Sequence, residues 1–169
     1  MIQENQIISM LDEAEYIYLR HISEPTENSL RLVVQEATVS SCESAENSAS
    51  TEPFSELRKD ASPIETTAGC KTFELIWDLY VAYLVTEEVA GSAGDHQSEV
   101  YTGNTFRVYS RSHFLDYLAC NTSGHTGPLT HYKVVCLNHL IDVASIRPPE
   151  IKLLDTESEE VLETKARIN

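Results

Sequence analysis

Five side chains able to ligate a metal or carry a proton fall within twenty residues: Cys120, His125, His131, Cys136 and His139. All are zinc-ligand types. Their spacings, C-x4-H, H-x5-H, H-x4-C and C-x2-H, do not make the paired knuckles of a structural zinc site. Read as one strand, the 131–146 stretch sends Cys136 and His139 to opposite faces, because their separation is odd. His131 and His139 would then share a face but lie about 26 Å apart. The expectation is therefore no metal site and no cofactor. Nucleophilic catalysis by Cys136, His139 and Asp142 needs all three on one helical side, and a strand turns the histidine away. Ser112 and His113 are adjacent in sequence rather than facing, and no G-x-S-x-G elbow occurs. Glu87 and Glu88, with Asp78 nearby, offer paired carboxylates, but 27 acids make such pairs common and geometry decides their use. The glycines at 91, 94, 103, 124 and 127 form no phosphate-cradling pattern.

Charge is more informative. The 169 residues carry 27 acidic against 12 basic side chains, a net charge of −15. Sequence-independent nucleic-acid binding depends on Lys and Arg, and so does adhesion to anionic membranes; both are excluded as expectations. Residues 1–100 hold 19 acids and 5 bases, whereas residues 101–149 hold 2 acids, 4 bases and four of the six histidines. A soluble acidic surface accounts for this in the plainest way. The sharper reading is a docking face for a basic protein, whose association such a field accelerates.

The elements that must position these residues follow from periodicity. Ile7, Met10, Leu11, Ala14 and Tyr18 mark an amphipathic helix over 7–18. Leu30 to Gln35 reads as a strand. From about 38 to 62 the chain is rich in Ser, Glu and Ala and reads as a low-complexity acidic loop, unable to offset its ordering entropy. Phe73, Leu75, Trp77, Leu79, Val81, Tyr83 and Val85 are seven consecutive odd-numbered apolar positions, predicting one long strand or two with a bend near Asp78. All seven are expected to face the interior, packed by Phe114 and Leu118. Thr105 to Tyr109 is a further strand, and Ser112 caps a short helix near 112–120. The 131–146 stretch is β-rich, Pro148-Pro149 ends it, and Ile151 to Leu154 forms a last strand before an acidic tail. The fold class is α+β: a mainly antiparallel sheet with an N-terminal helix and a short helix near 112–120, in a single domain over 1–169. Four cysteines and no export signal at the N-terminus predict free thiols and a cytoplasmic protein.

Three stretches carry a resemblance: Phe73 to Glu88; Phe106 to Tyr117, which matches F-R-x-Y-S-[KR]-S-x-[FY]-L-D-Y; and His131 to Val143, which matches H-Y-x-V-x-C-x-N-H-x-I-D-V. Together they resemble a family of small uncharacterised bacterial proteins similar to immunity-type proteins. The likeness departs at Thr86, where the family more often carries Asn before the Glu, so no role for the polar group at 86 follows. Charge and resemblance point to a non-catalytic cytosolic binding protein, toxin-neutralising through an acidic face. Its candidate contact residues are Glu87, Glu88, Tyr80, Tyr109, Arg111, His131 and His139. The alternative is a small enzyme or metal-binding domain using His131, Cys136, His139 and Asp142.

Overall fold

The computed structural model describes residues 4–39, 63–67, 69–91, 98–121 and 127–154. The acidic loop beyond Val39 and the acidic tail lie outside the described residues. Helix α1 (Glu4–Asp12) is shorter than its apolar stripe predicts. It closes with Glu13 N donating to Ser9 O, and the chain enters strand β1 (Tyr16–Ser23). Ile7, Met10, Leu11 and Ala14 keep their helical stripe toward the core, but Tyr18 belongs to the strand. Pairing of Tyr16–Ser23 with the next strand overrides the local helical period.

Among the described residues, ten strands form two antiparallel sheets. In the first, β1 pairs with β2 (Leu30–Val39), β2 with β4 (Thr72–Trp77), and β4 with β10 (Glu150–Leu154); the two-residue β3 (Ile64–Glu65) pairs with the end of β2. The second runs β5 (Tyr80–Glu87), β9 (His139–Ser145), β8 (Thr130–Val135), β7 (Phe106–Arg111), β6 (Val100–Thr102). Helix α2 (Glu88–Gly91) follows β5, and α3 (His113–Asn121) follows β7. The class is α+β, with the N-terminal and short helices in place. No described helix is long and apolar enough to cross a membrane.

The seven-residue apolar alternation divides at the expected bend. Phe73, Leu75 and Trp77 of β4 are fully buried. After Asp78 and Leu79 the chain crosses to the second sheet, where Tyr83 and Val85 of β5 are 37% and 38% exposed and Leu79 is 43% exposed. The strand continues, but β5 is the edge of its sheet and Tyr83, Leu84 and Val85 are exposed in succession, so only β4 buries its apolar set. Ser145 Oγ donates to Leu79 O at 2.9 Å, holding the crossing.

One core serves both sheets. Leu32, Val34, Phe73, Leu75 and Trp77 meet Phe106, Tyr132, Val134, Ile141 and Val143, with α1 supplying Leu11. The Trp77 and Tyr132 rings lie 6.0 Å apart across the layers. The Asp12 carboxylate at the end of α1 accepts the backbone N–H groups of Asn104 and Phe106, fixing the β6–β7 turn. That turn needs Gly103: its φ is +91°, and a Cβ there would sit 2.2 Å from Phe106 O.

Candidate functional site

The 131–146 stretch is a hairpin, not one strand, and this rearranges its chemistry. Asn138 sits in the connection, a residue type that favours turns. Its side-chain amide accepts from Leu19 N at 2.9 Å and donates to Leu19 O at 3.0 Å, while Leu137 N donates to Ile17 O at 2.8 Å. The turn is thereby tied to β1 beside the register shift between Leu19 and His21. Cys136 and His139 flank the turn, with Cys136 N donating to His139 O at 2.9 Å. The expected strand geometry, with Cys136 and His139 on opposite faces and His131 far along from His139, is replaced by this reversal.

The reversal brings together His131 and Asp142, a contact the sequence reading missed. Lys133 lies directly opposite Asp142, and Tyr109 of β7 lies opposite His131. Directly opposed residues share a face, so Tyr109, His131, Lys133 and Asp142 all point away from the common core. His131 Nε2 donates to Asp142 Oδ1 at 2.7 Å, and Lys133 Nζ donates to the same oxygen at 3.1 Å. The Tyr109 ring stacks on His131 at 4.2 Å, and Phe114 of α3 meets it edge-on at 5.2 Å. Helix α3 is placed for this by its cap: Leu115 N donates to Ser112 Oγ, and Asp116 N to Ser112 O. Burial raises the Tyr109 hydroxyl above its usual range, a rise opposed by the Lys133 charge.

Chemically, this cluster is a hydrogen-bonded set almost closed to solvent, with the Lys133 side chain 12% exposed and that of Asp142 9%. The His131 side chain is 1% exposed. Its Nδ1 is buried, with no hydrogen-bond partner among the described residues. Cys136 is equally inert as a nucleophile: burial pushes its thiol up to about 12, far from the thiolate that attacks. No group of three or more His, Cys, Asp and Glu side chains among the described residues is arranged to hold a metal ion.

The other candidate residues lie apart from the cluster. Glu87 and Glu88 are exposed at the end of β5 and the start of α2. Neither has a cation within ion-pair distance among the described residues. Arg31–Glu74 and Lys71–Glu36, by contrast, are paired at 2.6 and 2.9 Å. Glu87 stands opposite His139 in the β5–β9 register, and half-buried His139 makes no ion pair with it. Tyr80, at the other end of β5, donates its hydroxyl to Glu24 at 2.8 Å, which lifts its pKa to about 12. Arg111 is exposed at the end of β7. Tyr109 and His131 are interior, so a partner reaches neither directly in this conformation. A turn signal at Asn138 was the cue for the hairpin, since a reversal there puts Lys133 opposite Asp142.

Comparisons with protein-family models, with curated proteins and with solved structures found no match.

Proposed function

We propose that this chain is a non-catalytic binding protein that takes a basic protein partner at the acidic end of β5. The observation that carries the reading is the adjacent pair Glu87 and Glu88, both exposed and without a described cation in ion-pair range. Exposed Val85 and Val89 flank them, so a partner would meet apolar surface beside negative charge. That combination favours docking: charge steers the encounter, and apolar contact lengthens the complex's lifetime. The net charge of −15 adds long-range attraction for a cationic protein. Neutralisation of a basic toxin in the cytoplasm, as the immunity-type resemblance implies, is one case of this function.

The test uses wild type and a Glu87→Lys/Glu88→Lys variant as paired baits for host proteins, read by mass spectrometry. The expected partner is basic, enriched on wild type and depleted on the variant. Its measured association rate falls several-fold in the variant and falls again as salt rises. Equal capture by both baits, or a rate indifferent to salt, overturns the reading.

One observation favours the alternative of an enzyme or metal-binding domain, the His131–Asp142 hydrogen bond. Its sealed surroundings and the protonated Cys136 weigh against it. Stoichiometric transition metal in protein purified from its host, measured by mass spectrometry, would reverse that weighing.

A further inference from the structure

Among the described residues, strand β5 terminates its sheet and pairs only with β9. An open edge presents a row of unpaired backbone donors and acceptors, which proteins commonly guard with charge, proline or a bulge. From Tyr80 to Thr86 this edge has no charged residue and no proline, in a chain with 39 charged side chains, 27 acidic and 12 basic. Its one register shift lies between Tyr80 and Ala82, leaving Ala82–Glu87 in unbroken register with β9.

The exposed apolar side chains on this edge and just beyond its two ends have a pattern of their own. Leu79, Tyr83, Leu84, Val85 and Val89 are 43%, 37%, 50%, 38% and 72% exposed. They are symmetric about Leu84: Tyr83 and Val85 lie one position to either side, Leu79 and Val89 five. A surface that is its own complement under a two-fold axis has this property.

We propose that β5 pairs antiparallel with β5 of a second copy of this chain, about a two-fold axis through Leu84. An antiparallel pair about such an axis keeps faces matched only when residues of like parity oppose one another. Centring on Leu84 satisfies this. Leu84 meets its own counterpart, Tyr83 meets Val85, Ala82 meets Thr86, and the Glu87 carboxylate lies opposite Val81. The two Glu87 side chains then fall at opposite ends of the joint, about 20 Å apart at ~3.4 Å per residue. That exceeds the ~8 Å screening length of physiological salt, so the two Glu87 charges do not oppose the pairing, and what repulsion remains between two copies of net charge −15 weakens as salt rises. Leu79 of one copy comes to the end where Val89 of the other lies in the first turn of α2. The two five-stranded sheets become one continuous sheet, and the edge is closed. This contact centres on Leu84 and needs no basic partner; because it covers Val85 and Val89, a basic partner at Glu87 and Glu88 competes with it for this end of β5.

Disulfide trapping tests the register. The background is the full chain with Cys42, Cys70 and Cys120 replaced by Ser, leaving only the buried Cys136. Into it, Leu84→Cys, Tyr83→Cys and Val85→Cys are introduced one at a time. Opposed residues have Cα atoms about 4.5–5.5 Å apart, within disulfide reach. A residue at 83 or 85 sees its own counterpart only diagonally, at ~7–8 Å. Under mild oxidation, Leu84→Cys should give a covalent dimer on a non-reducing gel and the other two should stay monomeric. Sedimentation of wild type should show a dimer, and Leu84→Lys should dissociate it while circular dichroism is unchanged. A wild-type monomer across the accessible concentration range overturns the proposal. So does equal cross-linking of all three variants, or a dimer that survives Leu84→Lys.

Discussion

Asp142 is the side chain on which the second sheet's outer face is organised. Its Oδ1 serves both His131 and Lys133, so replacing it strands a buried and a largely buried donor at once. Removing one partner of a buried charged pair typically costs about 3–5 kcal/mol. Asp142→Ala should lower unfolding free energy by about 3 kcal/mol in urea titrations, and Lys133→Met, which leaves the His131 contact, by clearly less. Cys136 makes a second residue-scale prediction. Its thiol holds its proton up to about 12 in the folded chain, against 9.0 as an ordinary thiol. A folded pKa above the unfolded one means the stabilisation is complete below pH 9 and is lost as pH rises toward 12. Wild type should therefore lose stability over that window more steeply than Cys136→Ala, measured by urea unfolding at stepped pH. Thiol reagents at neutral pH should modify exposed Cys120 in the native protein and spare Cys136 until it unfolds. Residue types alone picked out His131, Cys136, His139 and Asp142 as a set. Which of them meet was hidden, because the contact depends on a chain reversal between them.

Elements are joined here by side chains imitating backbone. The Asn138 amide offers Leu19 an acceptor and a donor, as a neighbouring strand would. Asn138→Leu should cost about 2 kcal/mol of stability, near 1 kcal/mol for each hydrogen bond lost, and Asn138→Asp should keep only part of it. Hydrogen exchange at Leu19 N–H, read by NMR, should speed up in Asn138→Leu. The cap at Ser112 was readable in advance, since a Ser before an apolar i, i+3, i+4 pattern announces a helix start. The length of α1 was not: Ala14 and Tyr18 continue its stripe, and only pairing with β2 pulls Tyr16–Ser23 into a strand. The apolar alternation of 73–85 named the element type correctly on both sides of the bend. Burial of its second half was lost because β5 has a neighbour on one side only.

At the scale of the whole molecule, −15 of net charge works against the compact state by self-repulsion. Salt at ~0.15 M shortens the reach of that repulsion to about 8 Å. The melting temperature, followed by circular dichroism, should therefore rise from very low salt toward ~0.2 M. Partly buried pairs such as Arg31–Glu74, at 14% side-chain exposure each, are screened less than exposed charges and should not offset the gain. The same titration should weaken capture of a basic partner, so stability and binding are expected to move in opposite directions with salt.

Composition, period and turn chemistry by themselves determined the class of this protein: an α+β chain of antiparallel strands, acidic in composition, with a capped helix after Ser112 and, among the described residues, free cysteines. These are properties of short windows and of sums over the chain, and each is written locally. Tertiary structure decided what depends on partners distant in sequence. The strands divide between two sheets because the chain changes layer at Asp78 and Leu79, so Trp77 is sealed while Tyr83 stays half open. His131 and Asp142 meet because Asn138 finds Leu19, 119 residues away, and anchors a turn there. An edge is an edge only once its sheet is assembled, so the exposure of Leu84 could not be read from a strand pattern that the buried β4 shares.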